Sequence, residues 1–283
     1  MSYRELLTHV STGEAATLVS WYAANLARRV EAKLVGVVVE PDFMGLSEFA
    51  HSVFDNERRD VAKMLANRKG ELREAAHRAG AIFENAARQQ GLAVEVLYRS
   101  APQAEVAEIM TNHARLHDCS IFPAVQEARR SQPSIIEAVL LGSGRPIIQL
   151  PQNGKLPAPS DTICVAWDGS RSASRAVHDA LPLLRTASVV EVVSIVEEKL
   201  FDQVRSGLDL IRHLKAHQIE ANYREVQFEG KPIGEQLMQT AVSMEAELLV
   251  MGAYGHSRIR QIVFGGATRS VLSAPLLPTF MSC

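Results

Sequence analysis

Apolar and polar positions change rhythm along this 283-residue chain in a repeating way. Short runs that are apolar almost throughout alternate with longer stretches in which apolar residues recur every three or four positions. In the second half the short runs lie near residues 162–167, 189–196, 220–227, 247–252 and 276–281. Runs of that kind predict strands covered on both faces. After the first of them, Ala173, Ala176, Val177, Ala180, Leu181 and Leu184 fall on one side of a helix. Ile233, Leu237, Ala241 and Met244 do the same ahead of the fourth run, and Ala16, Val19, Ala23, Leu26 and Val30 line a matching helix near the start of the chain. Strand–helix alternation with buried strands predicts a parallel sheet with helices on both sides.

The pattern occurs twice. The segment "PQNGKLPAPSD" (151–161) is rich in Pro, Gly and polar residues and reads as a linker between units at 1–152 and 160–283. Each unit opens with strand, polar turn, helix and strand. Ser11 aligns with Asp168 and Glu40 with Glu197, both at an offset of 157 (168 − 11; 197 − 40), with no gap in between. The units also close alike, "GRPIIQLP" against "APLLPTFM", with Pro146 facing Pro275 at an offset of 129 (275 − 146). About 28 additional residues (157 − 129) therefore lie in the middle of the first unit, in a long helical stretch. Internal duplication follows. The final strand, "LLPTFMSC", would be an exposed edge by itself.

Composition narrows the function classes. With 47% hydrophobic and 22% charged residues the chain is globular, and a net charge of −2 gives no global attraction to nucleic acid or anionic membrane. Cys119, Cys164 and Cys283 have neither disulfide nor zinc spacing, and the first two read as small buried side chains. "MSYRELLTHV" lacks the apolar core of a secretion signal, so a cytoplasmic location is expected. His113 and His117, and His213 and His217, are four apart and read as solvated helix faces rather than metal ligands. "DNERRD" at 55–60 reads as exposed helix. Phe43, Met44, Phe49, Phe54 and Met64 read as core packing of the inserted helical stretch, with cover for an apolar cavity as the alternative.

The chemistry concentrates in "MGAYGHSRIRQIVFGGATRS", residues 251–270, directly after the apolar "AELLV". Gly252, Gly255, Gly265 and Gly266 sit where a buried strand leaves the sheet and a short helix begins. Ligands of open parallel sheets bind there. Glycine lets the backbone approach an anion, and the helix start offers unpaired N–H groups that suit phosphate. Thr268 offers a hydroxyl at the helix start, and Arg258 and Arg260 lie in the nine residues between Gly255 and Gly265. Neither a G-x-G-x-x-G fingerprint nor a Walker loop is present. Asp168, in "VAWDGS", reads equally as a ligand contact and as the cap of the following helix.

The stretch resembles the nucleotide-binding signature of the universal stress protein family, G-x2-G-x9-G-[ST]. Gly252, Gly255 and Gly265 match it, and Gly266 replaces the usual hydroxyl residue. The resemblance implies two Rossmann-like domains of the adenine nucleotide alpha hydrolase-like kind. Each would be an open five-stranded parallel sheet flanked by helices, the two packed as a pseudo-dimer, with further homodimerisation left open. It implies that Asp168 lies against the nucleotide, that the backbone of Ile195 holds adenine, and that Met251, Ala267 and Thr268 line the pocket. Ala166, Trp167 and His256 complete the expected set.

The first unit has Ser11 in place of Asp168 and no glycine signature, so one nucleotide per chain is expected. The resemblance implies a stress-response regulatory protein that binds ATP or a related adenine nucleotide, with or without Mg²⁺, and has protein partners the sequence does not identify. Two other readings stand beside it: a slow ATPase in which Asp168 holds Mg²⁺, and an interaction scaffold that uses no nucleotide. No catalytic residue and no resident metal site are assigned.

Overall fold

The computed structural model describes residues 2–13, 15–41, 55–123, 134–152, 161–196, 201–254 and 266–283, with backbone alone at 41, 55–62 and 201–205. In the first half the order is β1 (Glu5–His9), α1 (Ala15–Arg29), β2 (Lys33–Pro41), α2 (Asp55–Gln89), β3 (Val94–Ala101), α3 (Val106–Ala114), β4 (Cys119–Phe122), α4 (Ile135–Gly142) and β5 (Ile147–Gln149). The second half repeats it: β6 (Thr162–Ala166), α5 (Arg171–Leu184), β7 (Val189–Val196), α6 (Phe201–Ala216), β8 (Asn222–Gln227), α7 (Ile233–Ser243), β9 (Leu248–Gly252), α8 (Gly266–Ser273) and β10 (Thr279–Ser282).

Among the described residues, ten strands form one sheet in the order β3-β2-β1-β4-β5-β10-β9-β6-β7-β8. Their pairing is parallel within each half and antiparallel where β5 meets β10. Alternate strand residues feed two apolar layers. Leu6, Leu34, Ile163 and Val190 pack towards α1 and α5. Leu7, Val35, Cys164 and Leu249 pack on the other face with residues of α3, α4, α7 and α8. The long helix α2 docks where Phe83 lies against Gly36, at a distance that any side chain on residue 36 would close. Helices α1, α2, α6 and α7 end on left-handed residues, Glu31, Gly91, Gln218 and Glu245, whose geometry lets the next N–H bond back into the last turn.

Strand registers define the equivalence of the halves and correct the sequence alignment in three places. Leu6 pairs with Leu34 and Ile163 with Val190, so the offset is 157 at β1 (163 − 6) but 156 at β2 (190 − 34). One residue is missing between α5 and β7. The first connection carries the extra left-handed residue Glu31, and the second closes without one. Between β2 and β3 the first half carries 29 additional residues rather than 28, because Val35 pairs with Glu95 and Glu191 with Asn222, offsets of 156 and 127. The closing strands align Pro146 with Pro278, not Pro275: Ser120 pairs with Ile147 and Leu249 with Thr279, an offset of 132 (279 − 147). With that offset Ile148 and Phe280 are equivalent, and they face each other across the antiparallel pair. The junction is thus a local two-fold axis.

Side-chain placement agrees with the sequence pattern except at a few positions. Cys119 and Cys164 are buried and reduced, and burial raises both thiols, that of Cys164 to about 12. Ile233 and Met64 are exposed, at 46% and 74%, so neither is core. His117 is buried in the turn after α3, its Nδ1 at 2.7 Å from the His113 carbonyl oxygen, rather than on a solvated helix face. His213 is exposed on α6, but His217 lies in the turn just after that helix rather than on its face, the two rings 4.7 Å apart. Phe43, Met44, Phe49 and Phe54 lie outside the described residues.

The two-fold relation sets His9 at the position of Ala166 and Phe122 at that of Met251. Both are larger, and their rings are 6.4 Å apart between centroids. The end of β1 therefore carries bulkier side chains than the end of β6. Desolvation pushes the His9 imidazole down from 6.5 to about 4. The unfolded chain then takes up a proton as pH falls through 6.5, while the folded chain does so only near 4. This histidine adds no pH dependence above 6.5. Stability is lost progressively from pH 6.5 to 4, by at most about 3 kcal/mol. Urea unfolding between pH 7.5 and 4.5 is expected to show a smaller acid loss in His9→Leu than in the wild-type chain. Equal slopes would mean that His9 is solvated.

Candidate functional site

In a sheet ordered 3-2-1-4-5 the chain crosses to opposite faces on leaving the two central strands, and a crevice opens between their carboxyl ends. In the second half these strands are β6 and β9. Ala166, Trp167 and Asp168 come from the end of β6, Met251 and Gly252 from the end of β9, and Gly266, Ala267 and Thr268 from the start of α8. Ile195 comes from β7 beside β6. These nine sequence-predicted residues are brought to one end of the sheet. Gly255, His256, Gly265 and the two arginines at 258 and 260 lie outside the described residues.

The turn after β6 is built from short polar side chains. Asp168 Oδ1 accepts the Ser170 N–H at 2.9 Å, Gly169 takes a φ of +71°, and Ser170 Oγ accepts the Ala173 N–H at 3.1 Å. Ser170 is therefore the N-cap of α5, not Asp168. Asp168 stays exposed, two residues ahead of the helix. Trp167 contributes backbone alone. Its N–H donates to the Val193 carbonyl at 2.8 Å, and its carbonyl accepts from Ser194 Oγ at 2.7 Å. Its indole N–H donates to Ser206 Oγ at 3.0 Å on the α5–α6 side, across the sheet from Ala166. A groove of about 580 Å³ opens on that side, lined by Trp167, Arg171, Arg175, His178, Ser206 and His213 among others.

Ile195 is placed by strand parity. The carbonyl of Val196 accepts from Phe228 N–H at 3.0 Å, on the β8 side. Successive residues of a strand aim their backbone groups to opposite sides. The N–H and C=O of Ile195 therefore face the β6 side, beyond the point where β6 has ended. Its side chain packs with Ala166, Val193 and Met251 in one apolar layer.

Two residues do other work than their types imply. A Cβ on Gly252 would lie 2.4 Å from the Ala173 nitrogen and 2.5 Å from the Ser172 carbonyl carbon. Gly252 is thus required where β9 meets the first turn of α5. Thr268 is buried, and its Oγ1 accepts the Tyr254 N–H at 3.1 Å, tying the end of β9 to the start of α8. Sequence reasoning did not single out Tyr254, whose hydroxyl donates to Glu137 Oε1 in the first half at 3.1 Å. Its residue type carries no signal of that role. Only the antiparallel junction brings α4 within reach. No group of three or more His, Cys, Asp or Glu fit to hold a metal occurs among the described residues. No helix among them is long and apolar enough to cross a membrane.

The comparisons with known proteins agree with this geometry. The model of the universal stress protein family matches residues 159–278. No curated protein matches the chain in sequence. Over its whole length the chain is similar to the crystal structure of a universal stress protein from Archaeoglobus fulgidus DSM 4304, at 16% identity and a TM-score of 0.68, covering 98% of this chain and 97% of that one. It is also similar to a Pseudomonas aeruginosa UCBPP-PA14 protein assigned to the universal stress proteins, at 14% identity and a TM-score of 0.60, covering 99% and 93%. The glycine-bearing half thus matches the universal stress protein family in sequence, and the whole chain shares the open, mostly parallel sheet of solved universal stress proteins.

Proposed function

We infer that this chain binds one adenine nucleotide, ATP or a close relative, in the crevice of its second half, and acts as a regulatory protein rather than through catalysis. The observation that carries the reading is the arrangement of unfilled backbone around the crevice. The N–H and C=O of Ile195 face it from one side, an amide-like edge suited to the Watson–Crick edge of adenine. The first-turn N–H groups of α8, starting at Gly266, face it from the other and suit phosphate. Ala166 and Met251 give it an apolar wall. Asp168, exposed at the mouth, is an acceptor for ribose hydroxyls or for a phosphate-bound Mg²⁺. The missing hydroxyl at Gly266 leaves the backbone donor in place.

The first half differs in its wall and in its carboxylate. His9 and Phe122 occupy the wall positions, and Ser11 stands for Asp168. Equilibrium dialysis with ATP is expected to give one nucleotide per chain. Two equivalent sites would sink the assignment of binding to the second half alone. Nucleotide released on denaturing the purified chain would support binding, and a chain that neither retains nor takes up adenine nucleotide would favour a scaffold.

Asp168→Asn keeps the turn, since the amide oxygen can still accept the Ser170 N–H, but removes the charge. Hydrogen bonds to charged groups are worth about 1.5–3 kcal/mol, so ATP binding should weaken roughly tenfold or more. Calorimetry with unchanged affinity would place the carboxylate outside the site.

Gly252→Ala has a different expected signature. The added methyl meets backbone atoms of α5 that cannot move aside, so the folded state should lose about 2–3 kcal/mol with or without nucleotide. A variant that lost affinity while keeping its unfolding midpoint would show that residue 252 serves the ligand and not the packing.

A further inference from the structure

Tyr254 is over-determined. Its φ of 55° is left-handed, which a non-glycine residue holds only where its surroundings fix it. Its N–H is bound to Thr268 Oγ1, so the two ends of the glycine segment, residues 254 and 268, are stitched together. Its phenol reaches Glu137 Oε1, 117 residues away in sequence. Glu137 is itself held. Its Oε2 accepts from the Ser134 N–H at 3.1 Å and from Ser134 Oγ at 3.3 Å, while Ser134 Oγ accepts the Glu137 N–H at 3.1 Å, a complete capping box on α4. Burial first, and Glu137 second, raise the phenol to about 12, so it remains a donor across the physiological range.

The bridge runs one way. The two-fold relation sets Arg269 at the position of Glu137 (269 − 137, the offset of 132 at the closing strands). A reciprocal bridge would need a carboxylate on an arginine. The half that lacks the glycine signature therefore supplies the carboxylate, and the half that bears the signature supplies the phenol. We propose that the first half anchors the nucleotide site of the second: Glu137 positions Tyr254 and, through the Tyr254–Thr268 bond, the start of α8, so that nucleotide affinity in the second half depends on the first.

This rests on the adenine-nucleotide reading, and the test separates the two. Hydrogen exchange of the ligand-free full chain is compared for wild type, Tyr254→Phe, Glu137→Ala, Glu137→Gln and Ser134→Ala, with ATP affinity measured by equilibrium dialysis. Tyr254→Phe leaves the cap of α4 intact. It is expected to speed exchange severalfold in both 134–142 and 266–273 and to raise the ATP Kd about fivefold, as for other residues that couple two sites. Glu137→Ala should match it, and the double variant should be no weaker than Glu137→Ala, the non-additivity of a shared bond. Glu137→Gln, whose amide oxygen can still accept the phenol, should retain most of the affinity. Ser134→Ala, which loosens α4 but keeps the bridge, should bind ATP within twofold of wild type. Wild-type exchange and affinity in Tyr254→Phe, or additive effects in the double variant, would overturn the proposal. A wild-type chain that binds no ATP would overturn the reading of the site, while exchange in the ligand-free variants would still decide whether Glu137 anchors the start of α8.

Discussion

The antiparallel pairing of Thr279, Phe280 and Met281 with Gln149, Ile148 and Ile147 is the contact on which the rest of the molecule depends. Each half alone would end in a short strand with unpaired backbone, a template for unwanted association. Joined, the two edges satisfy one another, and the sheet continues unbroken through ten strands. Ile148 and Phe280 meet on the axis and are fully buried. Burying such a side chain contributes about 1.5–3 kcal/mol each, more than the net worth of the few ladder bonds around them. The junction also brings α4 and α8 to the same face. Gln149 Nε2 donates to the Leu272 carbonyl at 2.9 Å, and Cys283 Sγ lies 3.1 Å from the Leu140 carbonyl oxygen. Away from the sheet, Tyr3 donates to the Asp179 carbonyl at 2.6 Å and Arg29 pairs with Asp161 at 2.8 Å.

Around that axis the two halves have diverged by changing volumes rather than topology. At the ends of the central strands the second half has alanine at 166 and methionine at 251, where the first has the bulkier histidine at 9 and phenylalanine at 122, within the same apolar layer. The length difference is also placed where the sheet does not feel it, in the β2–β3 crossover, where the 35-residue helix α2 stands in place of the 16 residues of α6.

The half without the glycine signature nonetheless reaches the segment that bears it. Glu137 belongs to the first half, yet its carboxylate accepts the hydroxyl of Tyr254. Such a division is available to a single chain in a way that it is not to a symmetric pair of identical chains, where any change made at one position is made at its equivalent too.

Hydrophobic rhythm by itself determined the element order, the parallel halves and the recurrence of one pattern in both, because local periodicity can be read one segment at a time. The joining of the last strand to its counterpart came from the family resemblance. The glycine spacing likewise pointed to the end of the sheet at which the candidate residues gather. Register was beyond it. The one-residue gap before β7 and the correct partner of Pro146 depend on turn geometry and on which face each residue takes, and a low-identity alignment cannot sense either. Three roles at the site also needed tertiary structure. Ser170 rather than Asp168 caps α5 because of where the helix begins to wind. Gly252 is glycine because a backbone from elsewhere passes within 2.4 Å of where its Cβ would be. Tyr254 finds Glu137 across 117 residues because only the folded junction brings those two side chains together.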